Sequence, residues 1–191
     1  MKVATVNSKT EPMPKILIMV GSLRAASASK ATAQSLAERL QGDADFHFAE
    51  IGTLPYYNAD LIDDPSVHAL LEAIRSADGV VFVTPEYNYS IPGVLKNAID
   101  WASRPAYNSV FLNKACFVIS VSGGALGGVR AQSHLKYILN GMLATVFPSL
   151  EVVVPFANDK TSEGRMTDET ILSFGTARLT AFLAFVRGQA A

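Results

Sequence analysis

The segment Val80–Val83 constrains the fold of this 191-residue chain more than any other. Its four residues are all apolar, and a strand without polar alternation is typically buried on both faces, as in a parallel sheet. The next ten residues, 84–93, contain two prolines, an acid, an amide and two tyrosines. Because proline interrupts both strands and helices, this segment is predicted to be a fixed turn at the carboxyl end of a central strand. Open parallel sheets bind their ligands at that end.

Strand and helix patterns alternate along the chain. Apolar runs predict five strands, at Ile16–Val20, Phe46–Phe48, Val80–Val83, Phe117–Val121 and Val152–Val154. Apolar residues at helical spacing predict five helices, around Ala33–Leu40, Val67–Ile74, Leu95–Ala102, Leu135–Val146 and Ile171–Val186. This alternation predicts an α/β fold, a doubly wound parallel sheet with helices on both faces. Five strands fit the flavodoxin-like order 2-1-3-4-5 better than a six-stranded dinucleotide-binding fold.

Length and composition favour a single soluble domain. Residues 15–191 are predicted to form it, after a short polar extension over residues 1–14 that is expected to be mobile and carries no secretory signal. The formal net charge of -1 gives no general attraction for nucleic acid or an anionic membrane. No apolar stretch is expected to span a bilayer. Cys116 is the only cysteine, and its apolar surroundings predict a buried structural thiol in a reducing compartment.

Polar and aromatic residues outside the loops show no catalytic pattern. The three histidines, His47, His68 and His134, share no ligand spacing, so no metal site is predicted. Asp64 and Asp168 are interpreted as helix starts. Trp101 and Tyr107 are candidates for exposed contacts with a partner subunit.

Three loops are predicted to meet at one crevice. In the order 2-1-3-4-5 the first, third and fourth strands are neighbours, and their carboxyl-end loops lie together. These loops are residues 21–30, 84–93 and 122–128, each rich in Gly, Ser or Pro.

The first of these loops has the composition of a phosphate cradle. Hydroxyls at Ser22, Ser27 and Ser29 and the cation of Arg24 lie where a helix begins, and free backbone N–H groups there favour an anion. Helix capping by Ser27 or Ser29 explains the same residues equally well. The loop matches neither a P-loop nor a Gly-x-Gly-x-x-Gly fingerprint, which argues against a nucleoside triphosphate or a tightly held dinucleotide.

The other two loops suit a flat ligand. Four glycines within residues 122–128 permit close approach of a ring to the main chain, although a flexible connector would use them too. In the middle loop the tyrosines can merely pack, Glu86 can be solvated and Ser90 can cap the next helix. The amide of Asn88, expected in apolar surroundings, offers two donors and an acceptor to a heterocycle.

With these loops the sequence resembles the NAD(P)H-dependent FMN reductase family, which includes quinone, chromate and azo-dye reductases. The motifs that carry the resemblance are Gly-Ser-Leu-Arg-x-x-Ser at 21–27, Thr-Pro-Glu-Tyr-Asn-Tyr-Ser at 84–90 and Leu-Lys-Asn-Ala-Ile-Asp-Trp at 95–101. The resemblance covers nearly the whole chain from Lys15 onward.

The resemblance assigns roles to loop residues. It implies that the FMN phosphate is bound by Ser22, Arg24, Ser27 and Ser29. It further implies that Pro85, Glu86, Tyr87, Asn88 and Tyr89 border the isoalloxazine ring, with main-chain N–H groups facing it, and that Ser122, Gly123 and Gly124 lie along its other edge. Many relatives carry Asn in place of Ser29 and a small residue in place of Lys30, so the chain departs from the family pattern at these two positions.

The resemblance also implies a mechanism. NADH or NADPH would stack on the flavin, pass a hydride to its N5 atom and leave, and a quinone, chromate, azo compound or free flavin would then take the same place. The cofactor carries this chemistry, so no catalytic side chain is predicted. A cytoplasmic homodimer or homotetramer is expected.

Two other classes fit the same residues. One is a flavodoxin-type electron carrier without a nicotinamide site, although carriers commonly present a strongly charged face, and this chain has no acidic run. The other is a non-catalytic module that binds a phosphorylated ligand and has lost flavin.

Overall fold

The computed structural model describes residues 13–61 and 63–189, so most of the predicted N-terminal extension lies outside the described residues. The main elements in chain order are β1 Lys15–Val20, α1 Ala28–Arg39, β2 Asp45–Phe48, α2 Pro65–Ser76, β3 Gly79–Pro85, α3 Gly93–Ala102, β4 Ala115–Val121, α4 Val129–Gly141, β5 Thr145–Val146, β6 Val152–Val154, β7 Thr161–Ser162, β8 Arg165–Met166 and α5 Glu169–Gln189. A short 3-10 helix, Ala157–Lys160, follows β6.

The main sheet is parallel, with the order β2-β1-β3-β4-β5. This confirms the predicted flavodoxin-like fold. The fifth position is shared by two short strands, since β5 pairs with the start of β4 and β6 pairs with its end. The predicted strand Val152–Val154 is β6, and the chain between the two strands leaves the sheet. β7 and β8 form a separate antiparallel pair.

Both faces of the sheet are covered. Alternate strand residues point to opposite sides, so Val81 and Val83 pack in one core with α1 and α5, while Val80 and Phe82 pack in the other with α2, α3 and α4. In the first core Phe117 stacks on Phe182 of α5, with ring centroids 5.6 Å apart. Every residue of β3 from Gly79 to Thr84 is buried, which confirms the burial predicted for Val80–Val83.

The fourth helix is shorter than predicted. It ends at Gly141 rather than near Val146, and Leu143 follows with a positive φ of 60°. Val146 instead belongs to β5. Met142, Ala144 and Val146 all pack in the core that the helix covers, so the apolar spacing continues across the helix end. Apolar periodicity alone does not separate a helix from a following strand on the same core.

Two aspartates and the cysteine have the local roles that were predicted for them. Asp64 and Asp168 cap α2 and α5: Asp64 accepts N–H bonds from Ser66 and Val67, and Asp168 accepts one from Ile171. Their helix-start role is confirmed. The bond from the Ser66 hydroxyl and the two amide bonds hold the pKa of the Asp64 carboxyl below its ordinary value, and the Ile171 amide bond, with Lys160 nearby, does the same for the pKa of Asp168. Cys116 is buried, as predicted, and burial raises the pKa of its thiol.

Trp101 was wrongly expected to be exposed. It is 8% exposed, its indole N–H donates to the Pro55 carbonyl at 2.8 Å, and the ring of Tyr57 meets it edge-on at 5.0 Å. It therefore fixes the loop after β2 against α3, and of the two candidate contact residues Tyr107 alone is exposed.

Helix α5 departs from the expectation that no segment could span a bilayer. With 21 residues of mostly apolar composition, the helix is long and apolar enough to cross a membrane. Length and composition alone are weak evidence for a membrane helix, because core helices meet the same criteria. Leu179, Phe182 and Leu183 are buried against the sheet. One stripe of the helix therefore packs on the sheet, as in a surface helix of a globular domain.

Candidate functional site

A cavity of about 160 Å³ lies where β1, β3 and β4 end. All three predicted loops line it, with Ser22, Arg24, Ser27 and Ser29 from the first, Pro85, Glu86 and Tyr87 from the second, and Ser122 and Gly123 from the third. The remaining predicted residues, Asn88, Tyr89 and Gly124, lie in the same loops but do not line this cavity. The strand order thus produces the predicted convergence, because it makes β1, β3 and β4 adjacent.

The amino end of α1 forms one wall. Ser27 is its N-cap: the Ser27 hydroxyl oxygen accepts an N–H bond from Lys30 at 3.2 Å. Ser27 and Ser29 are both buried. Among the described residues, no hydrogen-bond partner is found for the amides of Ala28 and Ser29, the first two helical positions. Capping and anion binding are therefore compatible here, because Ser27 caps the helix while free amides remain beside the cavity.

Arg24 gives this wall a positive charge. Its amide donates to the Ser22 hydroxyl oxygen at 3.4 Å, which folds the loop back on itself. No carboxylate of the described residues lies within 4.0 Å of its guanidinium. With free helix amides beside it, this cation favours an anionic group in the cavity.

The middle loop ends in a tight two-residue turn. Tyr87 and Ser90 exchange two main-chain bonds of 2.9 and 3.0 Å, and the residues between them, Asn88 and Tyr89, have positive φ values of 49° and 67°. Asparagine tolerates this left-handed conformation well. Asn88 is exposed at the tip, so the expected apolar surroundings are wrong, and the turn itself explains its residue type.

Helix α4 holds this turn in place through two side chains one helical turn apart. The guanidinium of Arg130 lies 4.5 Å from the ring centroid of Tyr89, and His134 Nδ1 is 2.7 Å from the Ser90 hydroxyl. Ser90 therefore does not cap α3, for which the described residues provide no side-chain cap bond. Sequence reasoning missed the supporting role of Arg130 and His134. Their i, i+4 spacing was the available signal, but only the fold shows what that helix face contacts.

Glu86 joins the middle loop to the same helix. Its carboxylate accepts N–H bonds from Arg130 at 3.1 Å and Ala131 at 3.3 Å, and the Arg130 guanidinium lies 3.4 Å away. Residue Gly128, the formal N-cap, supplies no side chain. Because the carboxylate is occupied by α4, a ligand at this wall would meet the main chain of Glu86.

This role of Glu86 predicts a stability effect. We expect Glu86→Ala to lower the free energy of unfolding of the flavin-free protein by about 1–2 kcal/mol, because two α4 amides lose their acceptor. Glu86→Gln, which keeps an acceptor oxygen, should lose less than half of that. Urea unfolding followed by circular dichroism measures both. Equal stability of wild type and Glu86→Ala would contradict a capping role.

The glycine loop, residues 122–128, contains two positions whose backbone conformation side chains rarely adopt. Gly127 and Gly128 have φ values of 60° and 84°. A Cβ atom on Gly127 would lie 3.0 Å from the backbone nitrogen of Pro155. The loop is therefore a tightly packed wall rather than a flexible connector.

Two further lining residues come from a segment that the sequence did not mark. Ala157 and Asn158, in the 3-10 helix after β6, line the cavity beside Gly123. Main-chain bonds hold them there: Ser122 N–H donates to Val154, and Ala157 N–H donates to Ser122, both at 2.9 Å. No motif distinguishes these residues, since only the pairing of β6 with β4 brings them to the site.

The lining suits a flavin mononucleotide. Hydroxyls, free helix amides and one cation match a phosphate, and glycines with exposed tyrosines suit the edge and face of a flat ring. The cavity of about 160 Å³ is smaller than a typical small-molecule pocket of roughly 300–1,000 Å³. It therefore fits the phosphate end, and a ring would use the open side near Tyr87 and Tyr89, which are exposed.

The sheet order defines a flavodoxin-like protein, and the cavity at the carboxyl edge of its sheet has a lining suited to a phosphorylated cofactor. The family of NADPH-dependent FMN reductases matches residues 14–159, and the chain belongs to that family. It is an oxidoreductase of the NAD(P)H-dependent FMN reductase and quinone reductase type, with FMN as cofactor and NAD(P)H as electron donor. This confirms the resemblance carried by the three motifs.

Individual relatives agree with this assignment. A 2-hydroxy-1,4-benzoquinone reductase from Burkholderia is 50% identical over 64% of this chain and 68% of its own length. A quinone reductase from Escherichia coli K12 is 37% identical over 91% of this chain and 95% of the relative. The solved structure of FerB, an NAD(P)H:acceptor oxidoreductase from Paracoccus denitrificans, is 34% identical and superposes with a TM-score of 0.83, covering 92% of this chain and 98% of FerB.

Proposed function

We propose that this protein oxidises NADH or NADPH and passes the electrons through bound FMN to a quinone in a ping-pong reaction. The observation that carries this proposal is the convergence of three loops on one cavity. Arg24 and the serines of the first loop form a positively charged wall suited to a phosphate, and the exposed tyrosines of the middle loop lie at the open side. The quinone reductases among its relatives support a quinone as acceptor.

The chain's own residues act mainly by binding and orientation. Ser22, Arg24, Ser27 and Ser29 hold the phosphate of FMN, together with the free amides at the start of α1. The main chain from Pro85 to Asn88 and the stretch from Ser122 to Gly124 line the ring, with Tyr87 and Tyr89 beside its open side. FMN, when bound, supplies the two-electron chemistry. Reduction of a quinone to the hydroquinone takes up two electrons and two protons: the hydride of NADH or NADPH supplies both electrons and one proton, and solvent at the open side of the site supplies the other proton, so no side chain needs to donate it.

An open ring face explains a broad choice of acceptor. Tyr87 and Tyr89 are exposed, so donor and acceptor can stack in turn at one place. Flat acceptors such as quinones, azo compounds and free flavin fit this arrangement, and chromate needs only access to it. The 50% identity to a 2-hydroxy-1,4-benzoquinone reductase makes a hydroxylated benzoquinone the first acceptor to test.

The experiment follows the flavin band of the purified protein loaded with FMN. We expect anaerobic NADH or NADPH to bleach the band, and 2-hydroxy-1,4-benzoquinone to restore it in a separate second step. Chromate and an azo dye are then tested in the quinone's place. Bound flavin that neither nucleotide bleaches would indicate a carrier, and a protein that takes up no FMN would refute the proposal.

The proposal includes assembly and location. We place the enzyme in the cytoplasm as a homodimer or homotetramer, with residues 15–191 as one FMN-binding domain. Exposed aromatic side chains such as Tyr107 and Tyr137 provide surface for subunit contacts.

A further inference from the structure

A second cavity, of about 420 Å³, adjoins the phosphate cradle. It lies between the first loop and the segment that follows β2, and it shares Ser22 and Arg24 with the first cavity. Arg24 therefore stands in the common wall of the two. Nothing in the proposed roles of the three loops uses this second cavity.

One side of the second cavity is apolar although it faces solvent. Leu23 is 61% exposed and Phe48 is 43% exposed, and Ile51 lies beside them in the lining. Leu23 reaches across the chain at Gly52, where a Cβ atom would be only 2.9 Å from a Leu23 methyl group. Large apolar side chains exposed within a concave surface suit a flat ring such as adenine.

The other side carries unpaired positive charge. Lys30 and Arg24 line the cavity, and neither has a carboxylate within 4.0 Å among residues 13–61 and 63–189. Most other cations of that part of the chain, for example Arg39, Lys96 and Lys136, are in ion pairs. The acid in the lining, Glu50, is partly used, since it accepts the Gly52 N–H at 2.9 Å. Because Arg24 is assigned to the FMN phosphate, Lys30 is the cation of this cavity that remains for a second phosphate, while Glu50 is engaged by the Gly52 amide.

We propose that this second cavity binds the 2′-phosphoadenosine end of NADPH, with Lys30 contacting the 2′-phosphate. The inference rests on the proposed function, which makes NADPH a substrate. Adenine would lie against Leu23 and Phe48, and Arg24 would separate this phosphate from that of FMN. The cavity would then discriminate NADPH from NADH, because the two differ only in the group that Lys30 contacts.

The test compares Lys30→Gln with Lys15→Gln in the FMN-loaded protein. Lys15 is a suitable control, because it is exposed at the start of β1, at the opposite end of that strand from the site, and has no carboxylate within 4.0 Å of its ammonium in the described part of the chain. We expect the ratio of kcat/KM for NADPH to that for NADH to fall roughly tenfold in Lys30→Gln, the loss of one charge-assisted contact. Lys15→Gln should leave the ratio unchanged.

A calorimetric titration gives a readout that does not depend on turnover. The wild type should bind adenosine 2′,5′-bisphosphate more tightly than AMP, and Lys30→Gln should bind the two about equally. If the enzyme oxidises NADPH but the ratio stays unchanged in Lys30→Gln, or if the wild type does not distinguish the two adenylates, the inference is overturned while the proposed function stands. Failure of the proposed function would instead appear as a wild type that oxidises neither NADH nor NADPH.

Discussion

Arg24→Ala should weaken FMN binding by about ten- to a hundredfold. The guanidinium lines the cradle without a carboxylate partner among the described residues, so a phosphate there would be its charge-assisted partner. Losing such a contact costs roughly 1.5–3 kcal/mol, which corresponds to that change in dissociation constant. Quenching of flavin fluorescence on titration with apoprotein measures the effect directly.

A matched arginine separates this effect from a general loss of charge. Arg75 pairs with Glu72 within α2 at 2.6 Å and does not line the cradle, so Arg75→Ala should bind FMN like the wild type. Both variants should unfold at the same urea concentration as the wild type, since neither side chain is buried. An unchanged FMN affinity in Arg24→Ala would remove Arg24 from the phosphate site.

Gly127→Ala should destabilise the protein by about 2–4 kcal/mol. The residue has a φ of 60°, and a non-glycine residue held there carries strain of roughly 1–3 kcal/mol. The new methyl group would also lie 3.0 Å from the backbone nitrogen of Pro155 and from Val153 Cβ, and such overpacking costs roughly 1–3 kcal/mol. Urea unfolding of the flavin-free protein measures the loss.

The same substitution at Gly141 should have the opposite sign. Gly141 is the last residue of α4, and apart from its chain neighbours and its own helix backbone no atom of the described residues lies within 4 Å of a Cβ atom built there. Alanine is favoured over glycine in helices by about 1 kcal/mol, so Gly141→Ala should be neutral or stabilising. If Gly127→Ala were equally well tolerated, the glycine loop would not be the fixed wall that the structure shows.

The sequence alone was sufficient to predict the fold class and the order of the main strands. Five predicted strands alternate with segments of helical periodicity. Few folds accommodate this alternation, because parallel strands need right-handed crossover connections and helices that cover both faces of the sheet. Periodicity failed where two elements share one core, so α4 was drawn too long and the strand β5 was missed. Periodicity also did not predict that the Trp101 indole N–H donates to a main-chain carbonyl and that the side chain is buried.

The sequence by itself also determined which loops meet, since the strand order places the carboxyl ends of β1, β3 and β4 side by side. Only the tertiary structure decided which groups each side chain of the site contacts. Glu86 turns to α4, His134 meets Ser90, and Asn158 reaches the cavity from a distant segment. These contacts join residues many positions apart, and local patterns carry no signal of which distant group will be in reach. The physical reason is that periodicity reports the face on which a residue lies, whereas a contact depends on how whole elements pack.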